Sequence, residues 1–471
     1  MSTLRTYLRT RLQQPIVRPL ALAGPIAVLL VALPLLRPLR HPSGASSDEV
    51  LRLATIRALV ERGTLDIRHT LPERYDDGTV RRGESLYSEQ PPMMALLLAP
   101  AAWVMRRAGL SLEGNFVPYM LTLLGTTLPV AVASGLIYRM GRLFELRRPW
   151  RAGLAVAVVF GSGLISYAVV LNPHAPAAAL VLGAASALVY VAASQRPGRR
   201  WLWLFLAGLA AALASALDPS AAVLLVLFMF VIPAMRVGIG FRALGVLLYL
   251  LGAAAPLLVH TRYNVPVTGD WLPASLHDEF SRGRRSAPPA TLDFDDEESH
   301  RTASFVSAIY RPTKWLAQAL FGAHGILSHF PVMVMGVAGV FAVMHRHWPI
   351  STKMLAAATL ASAVVILLLY CIFRGDWQEA MFASRWFVVF LPMLLFWIGA
   401  WVRRQHQPAA WAFAGVLMGF SVLVGLIGAT EPFPADGFRT YTALDATRRM
   451  ISSQAVPGHG DTLVETDHGR P

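Results

Sequence analysis

The sequence predicts an all-α polytopic membrane protein, and three observations predict it: the ratio of apolar to charged residues, apolar runs of spanning length, and the sorting of charges between those runs. Hydrophobic residues make up 55% of the 471 and charged residues 15%, which leaves too little polar surface for water to be the main solvent. A spanning helix needs about 20 mostly apolar residues. Such runs lie near 16–36, 117–138, 152–171, 175–193, 201–217, 219–235, 243–260, 326–344, 354–373, 386–402 and 409–428, about eleven in all.

The formal net charge of +14 does not mark a nucleic-acid binder, because the arginines sit in short clusters between apolar runs and not along one face. With residues 1–15 inside, the connections carrying Arg142, Arg147, Arg148, Arg151, Arg196, Arg199, Arg200, Arg236, Arg242, Arg346, Lys353, Arg403 and Arg404 fall on one side. By the positive-inside rule that side is cytoplasmic. On this parity 27 of the 28 Asp and Glu residues lie outside, with Glu145 the exception. A single cysteine, Cys371, builds neither a disulfide nor a thiolate metal site within one chain. The first run follows Arg5, Arg9, Arg11 and Arg18 as a signal peptide would. It lacks a small-residue cleavage site and is read as an uncleaved first span. Arg-heavy usage, with Lys314 and Lys353 the only lysines, suits a GC-rich bacterial genome and hence a bacterial inner membrane. The expected organisation is a transmembrane domain over 16–428, a large first exterior loop at 37–116, a second at 261–325, and an exterior C-terminal tail at 429–471. That tail, rich in Gly, Pro, Asp and Thr, is expected to be partly disordered.

The first loop opens Ser47-Asp48-Glu49 and continues with Val50, Leu51, Leu53, Ala54, Ile56, Ala58, Leu59 and Val60. This spacing gives an amphipathic helix of about four turns lying at the interface. Its two acids suit plain N-terminal capping. Further along, Tyr87-Ser88-Glu89-Gln90-Pro91-Pro92-Met93 leads into a short apolar segment ending near Met105. Were that segment to span, every later loop would invert, so it is read as a juxtamembrane or re-entrant helix. Leu171-Asn172-Pro173-His174 and Asp218-Pro219 mark exterior span junctions. Asp218 reads as a helix N-cap, and His174 as a structural histidine or as a hydrogen-bonding or metal-binding group.

Tyr263 to Pro266, Gly269 to Pro273 and Gly322-Ala323-His324-Gly325-Ile326-Leu327-Ser328-His329-Phe330-Pro331 are further distinctive stretches. The acidic run Asp293 to Glu298 lacks the turn glycine of an EF-hand and reads as a solvated patch. Phe382-Ala383-Ser384-Arg385-Trp386 enters the tenth run from outside. A guanidinium binds phosphate bidentately and stays charged at an interface, which makes Arg385 a phosphate-binding candidate. Arg262, Arg311 and Lys314 compete for that role, and snorkelling anchors are the plain alternative for each.

Taken in order, these stretches resemble lipid-phosphate-dependent glycosyltransferases of the GT-C fold, especially the protein O-mannosyltransferase-like group (family 39) and the bacterial aminoarabinose transferases. The resemblance is continuous over about residues 16–195 and patchy beyond. It implies a GT-C-like bundle whose first exterior loop contains juxtamembrane helices. The implied activity is sugar transfer from a polyprenyl-phosphate carrier to an acceptor on the non-cytoplasmic face, by inverting displacement. In that family the paired acids lie at the catalytic centre, so Asp48, as base, and Glu49 are the catalytic candidates. Tyr87, Glu89, Gln90, Asn172, His174, Arg262, His324 and Arg385 are the substrate-binding candidates.

Gln90 stands where the family commonly has Lys, and Asn172 where aminoarabinose transferases have the acid of Leu-Asp-Pro. Glu49 would orient the acceptor or share a divalent cation with Asp48; two close acids also push one pKa upward. The expected partners are membrane lipid, the polyprenyl-phosphate-linked sugar and an acceptor drawn from protein, lipid A, cell-wall polymer or glycan, with no nucleic acid. Two rivals carry different expectations. A transporter or flippase of lipid-linked sugars places ionisable groups near the bilayer midplane. A non-catalytic scaffold leaves Asp48, Glu89, His174 and Arg385 more than about 15 Å apart, too far for near-contact chemistry.

Overall fold

A computed structural model describes residues 19–36, 47–72, 78–194, 197–235, 239–274, 277, 313–373, 382–403, 405–432 and 440–454. About three quarters of it is helical, 76%. In chain order the helices are α1 (Ala23–Leu35), α2 (Ser47–Arg62), α3 (Met93–Arg107), α4 (Phe116–Phe144), α5 (Arg148–Gly161), α6 (His174–Ala193), α7 (Gly198–Leu217), α8 (Pro219–Met229), α9 (Gly240–Thr268), α10 (Ile326–His329), α11 (Met333–Met344), α12 (Ile350–Ile372), α13 (Leu391–Val402), α14 (Pro408–Thr430) and α15 (Thr442–Gln454). A small antiparallel hairpin, β1 (Thr79–Arg82) and β2 (Ser85–Ser88), pairs Val80 with Tyr87.

Among the described residues six helices, α4, α6, α7, α9, α12 and α14, are long and apolar enough to cross a membrane. A seventh crossing results if the stretch Thr313–His329 and α11, bent by 88° at their junction, form one span. The other expected runs appear as the shorter apolar helices α1, α8 and α13 and as α5, which ends at Gly161. The chain is thus a polytopic membrane protein with an all-helical bundle. Every expected run has a helical counterpart, but several are shorter or more broken than a single regular span.

In lipid, helix association rests on close packing and not on escape from water. The pair α7 and α9 shows how closely: a Cβ on Gly208 would sit 1.9 Å from the Tyr249 carbonyl oxygen, and one on Gly252 would sit 2.1 Å from that of Phe205. Only glycine allows the two backbones to meet there. Apolar side chains such as Leu250, Leu258, Phe413 and Val416 remain exposed on the outward faces of α9 and α14, which suits lipid contact.

Two polar regions pack into the bundle more fully than the sequence alone indicates. The helix after Ser47 forms as expected, and it is enclosed by the protein. From Asp48 to Val60 none of its side chains is exposed, and Asp48, Glu49 and Arg52 are buried beside Leu51, Ala54 and Ile56. Its polar residues have partners in the bundle, described below, so they turn inward. The stretch expected as a partly disordered tail contains α15, whose first residue Thr442 is fully buried, and its end, from residue 455, lies outside the described residues. The Asp293 to Glu298 run and Arg311 lie outside the described residues.

Candidate functional site

The expected span over 152–171 breaks at Gly161, and the break builds one wall of the site. Gly163 has φ 73°, and a Cβ there would lie 2.3 Å from the Phe330 ring. After a single turn (Leu164–Tyr167) the backbone becomes irregular yet stays buried through Asn172. Irregular backbone within a bundle requires hydrogen-bond partners, and here side chains supply them. A π-helical turn in α4, Leu123–Thr127, lets the Thr127 hydroxyl donate to the Ala168 carbonyl (2.7 Å). The Ser166 hydroxyl donates to Gly425 O (2.8 Å), and the Asn172 amide donates to Tyr167 O (2.5 Å) and Val170 O (2.9 Å). Asn172 Oδ1 accepts the Ala175 amide (3.0 Å), which starts α6.

Helix α2 docks on this wall. The Leu171 amide donates to Glu49 Oε1 (2.8 Å), and Arg52 Nη1 donates to Leu171 O (3.1 Å). Asp48 has other partners: its Oδ2 accepts from Arg385 Nη1 at 2.8 Å, and its Oδ1 accepts the Gln90 side-chain amide at 3.0 Å. Gln90 Oε1 in turn accepts from Arg52 Nη2 (2.9 Å), whose distance to Asp48 Oδ2 is 4.0 Å. One neutral amide therefore bridges the carboxylate and the second guanidinium. Burial acts most strongly on Arg52 and lowers its pKa, with Asp48 opposing; starting from an arginine's value, it stays cationic. The two adjacent acids thus have different hydrogen-bond partners, the Leu171 amide for Glu49 and the Arg385 and Gln90 side chains for Asp48. Among the described residues no group of three or more His, Cys, Asp and Glu is arranged to hold a metal.

Beyond Arg385 the network continues into a second buried pair. The Arg385 guanidinium carbon lies 4.7 Å from the centre of the Trp386 ring. The His174 ring stands edge-on to the same indole at 5.5 Å, and its Nδ1 is 2.7 Å from Asp218 Oδ2. Asp218 caps the turn at Pro219 as expected, accepting the Ser220 amide (3.0 Å) and hydroxyl (2.7 Å) on Oδ1. The capping residue is therefore also the partner of His174, which spacing alone did not show. Tyr87, Glu89 and Gln90 line a recess with Thr55, Asn264 and Val267 beside this network.

Asp48, Glu49, Gln90, Asn172, His174 and Arg385 are thereby brought into one connected cluster. His324 is buried nearby, and its carbonyl accepts the Ser384 hydroxyl. Arg262 and Lys314 are exposed. Arg52 and Trp386 were not expected as site residues. Arg52 sits one helical turn after Asp48, and that i, i+4 spacing was the signal available for it.

No protein-family model and no curated protein matches the sequence. Solved structures do resemble its fold. The oligosaccharyltransferase AglB of Archaeoglobus fulgidus, in complex with an inhibitory peptide and a dolichol-phosphate, aligns with TM-score 0.52 and 10% identity over 87% of this chain and 56% of that one. A structure of the A. fulgidus oligosaccharyltransferase with Zn and sulfate aligns with TM-score 0.52 and 11% identity, over 87% and 53%. ArnT from Cupriavidus metallidurans bound to undecaprenyl phosphate gives 0.48 and 15%, over 85% and 62%. At these identities the likeness is one of fold, and the chain spans about half the length of the archaeal enzyme. The class defined is a GT-C-like transmembrane bundle, the fold of membrane glycosyltransferases.

Proposed function

We propose that this chain transfers a sugar from a polyprenyl-phosphate carrier to an acceptor, at a site centred on Asp48 that faces the non-cytoplasmic side of a bacterial inner membrane. One observation carries the reading. A buried carboxylate on α2 meets a guanidinium at 2.8 Å from a residue 337 positions later, and a second buried guanidinium, Arg52, stands beside them. Breaking a buried ion pair costs several kcal/mol and keeping one adds little net stability, so such groups point to function more than to folding. The archaeal neighbour binds a dolichol-phosphate, and a lipid phosphate of that kind supplies the anion that these cations suit.

The chemistry needs a base for the acceptor and positive charge for the leaving phosphate. Arg385 exchanges Asp48 for a phosphate oxygen when donor binds, and Asp48 is then free to accept a proton. The acceptor oxygen forms a bond to the anomeric carbon as the bond from that carbon to the phosphate oxygen breaks. The electron pair leaves with the carrier phosphate, where Arg385 and Arg52 hold it, and the acceptor's proton passes to Asp48. The configuration inverts. Arg52 provides the cation that Gln90, in place of the family's Lys, does not. His174, oriented by Asp218, offers its other nitrogen as a hydrogen-bonding group. Asp48, Glu49 and Arg52 lie in the first two turns of α2, a helix not among the membrane-spanning ones, and Asp218 and Arg385 lie at helix starts, which favours transfer over transport.

The test is Asp48→Asn in membranes supplied with labelled polyprenyl-phosphate sugars and native acceptor. Loss of a general base lowers the rate by about 10²–10⁴-fold. Transfer at the wild-type rate would remove Asp48 from this role.

A further inference from the structure

The segment that aims Arg385 has an unusual backbone. Ala383 has φ 50°, in the left-handed region that a side chain with a Cβ rarely adopts. Residues 382–384 are each anchored. The Phe382 amide donates to Pro432 O (3.1 Å), and the Phe382 carbonyl accepts the Tyr167 hydroxyl. The Ala383 amide donates to Thr442 Oγ1 (3.1 Å), and the Ser384 hydroxyl donates to His324 O.

Thr442 has a second partner, His329 Nε2, at 2.5 Å. The other ring nitrogen, Nδ1, faces the Gly325 carbonyl at 2.9 Å, which can only accept. Ser328 Oγ, 3.1 Å from Nδ1, can also accept, so in a neutral ring Nδ1 carries the hydrogen and Nε2 accepts. The Thr442 hydroxyl donates to His329 and keeps a lone pair for the Ala383 amide, so donors and acceptors match along the whole line from Ala383 to Gly325. The start of α15 is fixed to the same stretch: the Thr442 amide donates to Ala323 O (3.3 Å), and the Tyr441 hydroxyl donates to Ser328 O (2.6 Å). Tyr441 also lies against the His329 ring, with centroids 4.4 Å apart. The Gly322 to Pro331 stretch, distinctive in sequence but without an assigned role, is the bracket between α15 and the Arg385 turn.

We propose that Thr442, carried by the C-terminal helix and oriented by His329, is a positioning residue that holds the left-handed turn at Ala383 and so sets Arg385 against Asp48. The proposal rests on reading the Asp48–Arg385 pair as the transfer site. It makes α15 part of the site's construction, although α15 follows the last membrane-spanning helix.

Two measurements on the purified full chain test it. Thr442→Val removes the hydroxyl at nearly constant volume, and Thr442→Ser keeps it. In hydrogen–deuterium exchange, the peptide containing Ala383 exchanges about ten-fold faster in Thr442→Val, as expected for loss of one hydrogen bond, and at the wild-type rate in Thr442→Ser. In equilibrium binding, undecaprenyl phosphate binds Thr442→Val several-fold more weakly than wild type, and Thr442→Ser restores it. Unchanged exchange in Thr442→Val overturns the proposal, and so does faster exchange with wild-type binding. Should the single variant not fold, Thr442→Val/Ala383→Gly compared with Ala383→Gly alone gives the exchange test, because glycine takes the positive φ without strain and the two differ only in the acceptor for the residue 383 amide. A wild-type chain that does not bind undecaprenyl phosphate sinks the transfer reading instead, and the exchange result alone then decides whether Thr442 holds the turn.

Discussion

Arginine is used in two ways at the two ends of the bundle. At the end bearing the Arg-rich connections, partly exposed guanidinium groups lie over aromatic rings: Arg139 over Tyr190 at 5.5 Å, Arg200 over Phe241 at 5.7 Å and Arg403 over Trp348 at 5.4 Å. These three contacts suit a cation at a polar boundary, where the stem covers apolar surface and the head stays near water; Arg151, over the Tyr138 ring at 4.7 Å, is buried. At the Asp48 end Arg52 and Arg385 are 5% and 6% exposed, and both face the same carboxylate. The difference teaches which cations to interrogate. A partly exposed arginine is tolerated at little cost, whereas the two buried at Asp48 are neutralised by geometry that many distant residues maintain.

The sharpest way to break this contrast is to remove one member of the buried pair. Arg385→Met leaves Asp48 buried without its 2.8 Å partner, and loss of one partner of a buried pair costs about 3–5 kcal/mol. Thermal unfolding of the detergent-purified variant should show that drop. The double variant Asp48→Asn/Arg385→Met should recover most of it, because no buried charge is then left uncompensated at that contact. A double variant as unstable as the single one would show that Arg385 stabilises by packing on Trp386 and not by pairing.

A smaller effect is expected at Gln90, which donates to Asp48 and accepts from Arg52 with the two ends of one amide. Gln90→Glu keeps the acceptor for Arg52 but faces Asp48 with a second anion. Losing the bridging donor costs about 1–3 kcal/mol, read as a lower midpoint in the same unfolding assay. Gln90→Glu with wild-type stability would mean that Asp48 does not depend on this amide.

These residues differ in how legible they were. Asp48 and Arg385 stood in short motifs beside apolar runs, and the structure pairs them directly. His174 and Asp218 were visible separately, one as a span-end histidine and one as a cap, but their 2.7 Å contact joins the two ends of antiparallel helices, and no local pattern encodes that. The eleven runs located the helices well. They did not show that the third breaks after Gly161, because buried irregular backbone can be as apolar as helix, and Gly163 is one glycine among the 36 in the chain. Thr442 was the least legible. Its surroundings are polar in sequence and read as tail, and its role depends on a histidine 113 residues earlier.

Asp66 offers a pH-dependent test of the loop that supports Gln90. Its partial burial favours the protonated acid, but hydrogen bonds from the Arg68 side chain and amide and from the Leu86 amide outweigh that and hold its pKa below the usual carboxylate range. A folded-state value below the unfolded one means the contribution is present above the unfolded pKa and lost as pH falls through the folded one. Hydrogen exchange in residues 63–72 and 78–90 should therefore quicken as pH falls through and below the usual carboxylate range, after correction for intrinsic rates. Asp66→Asn should abolish that step. A wild-type step that persists in Asp66→Asn would assign it to another carboxylate.

The smallest effect should come from the opposite end, where Glu145 pairs with Arg403. The two side chains are 28% and 27% exposed, so water competes for both, and Arg403 keeps its place over Trp348 without the acid. Pairs of this kind are worth about 0–1 kcal/mol. Glu145→Gln should therefore shift the unfolding midpoint little, and less still in high salt, where screening has already weakened the pair. A loss as large as that of Arg385→Met would erase the distinction between the two ends: it would mean that Glu145, the one acid assigned to the arginine-rich side, anchors the bundle as firmly as Asp48 does.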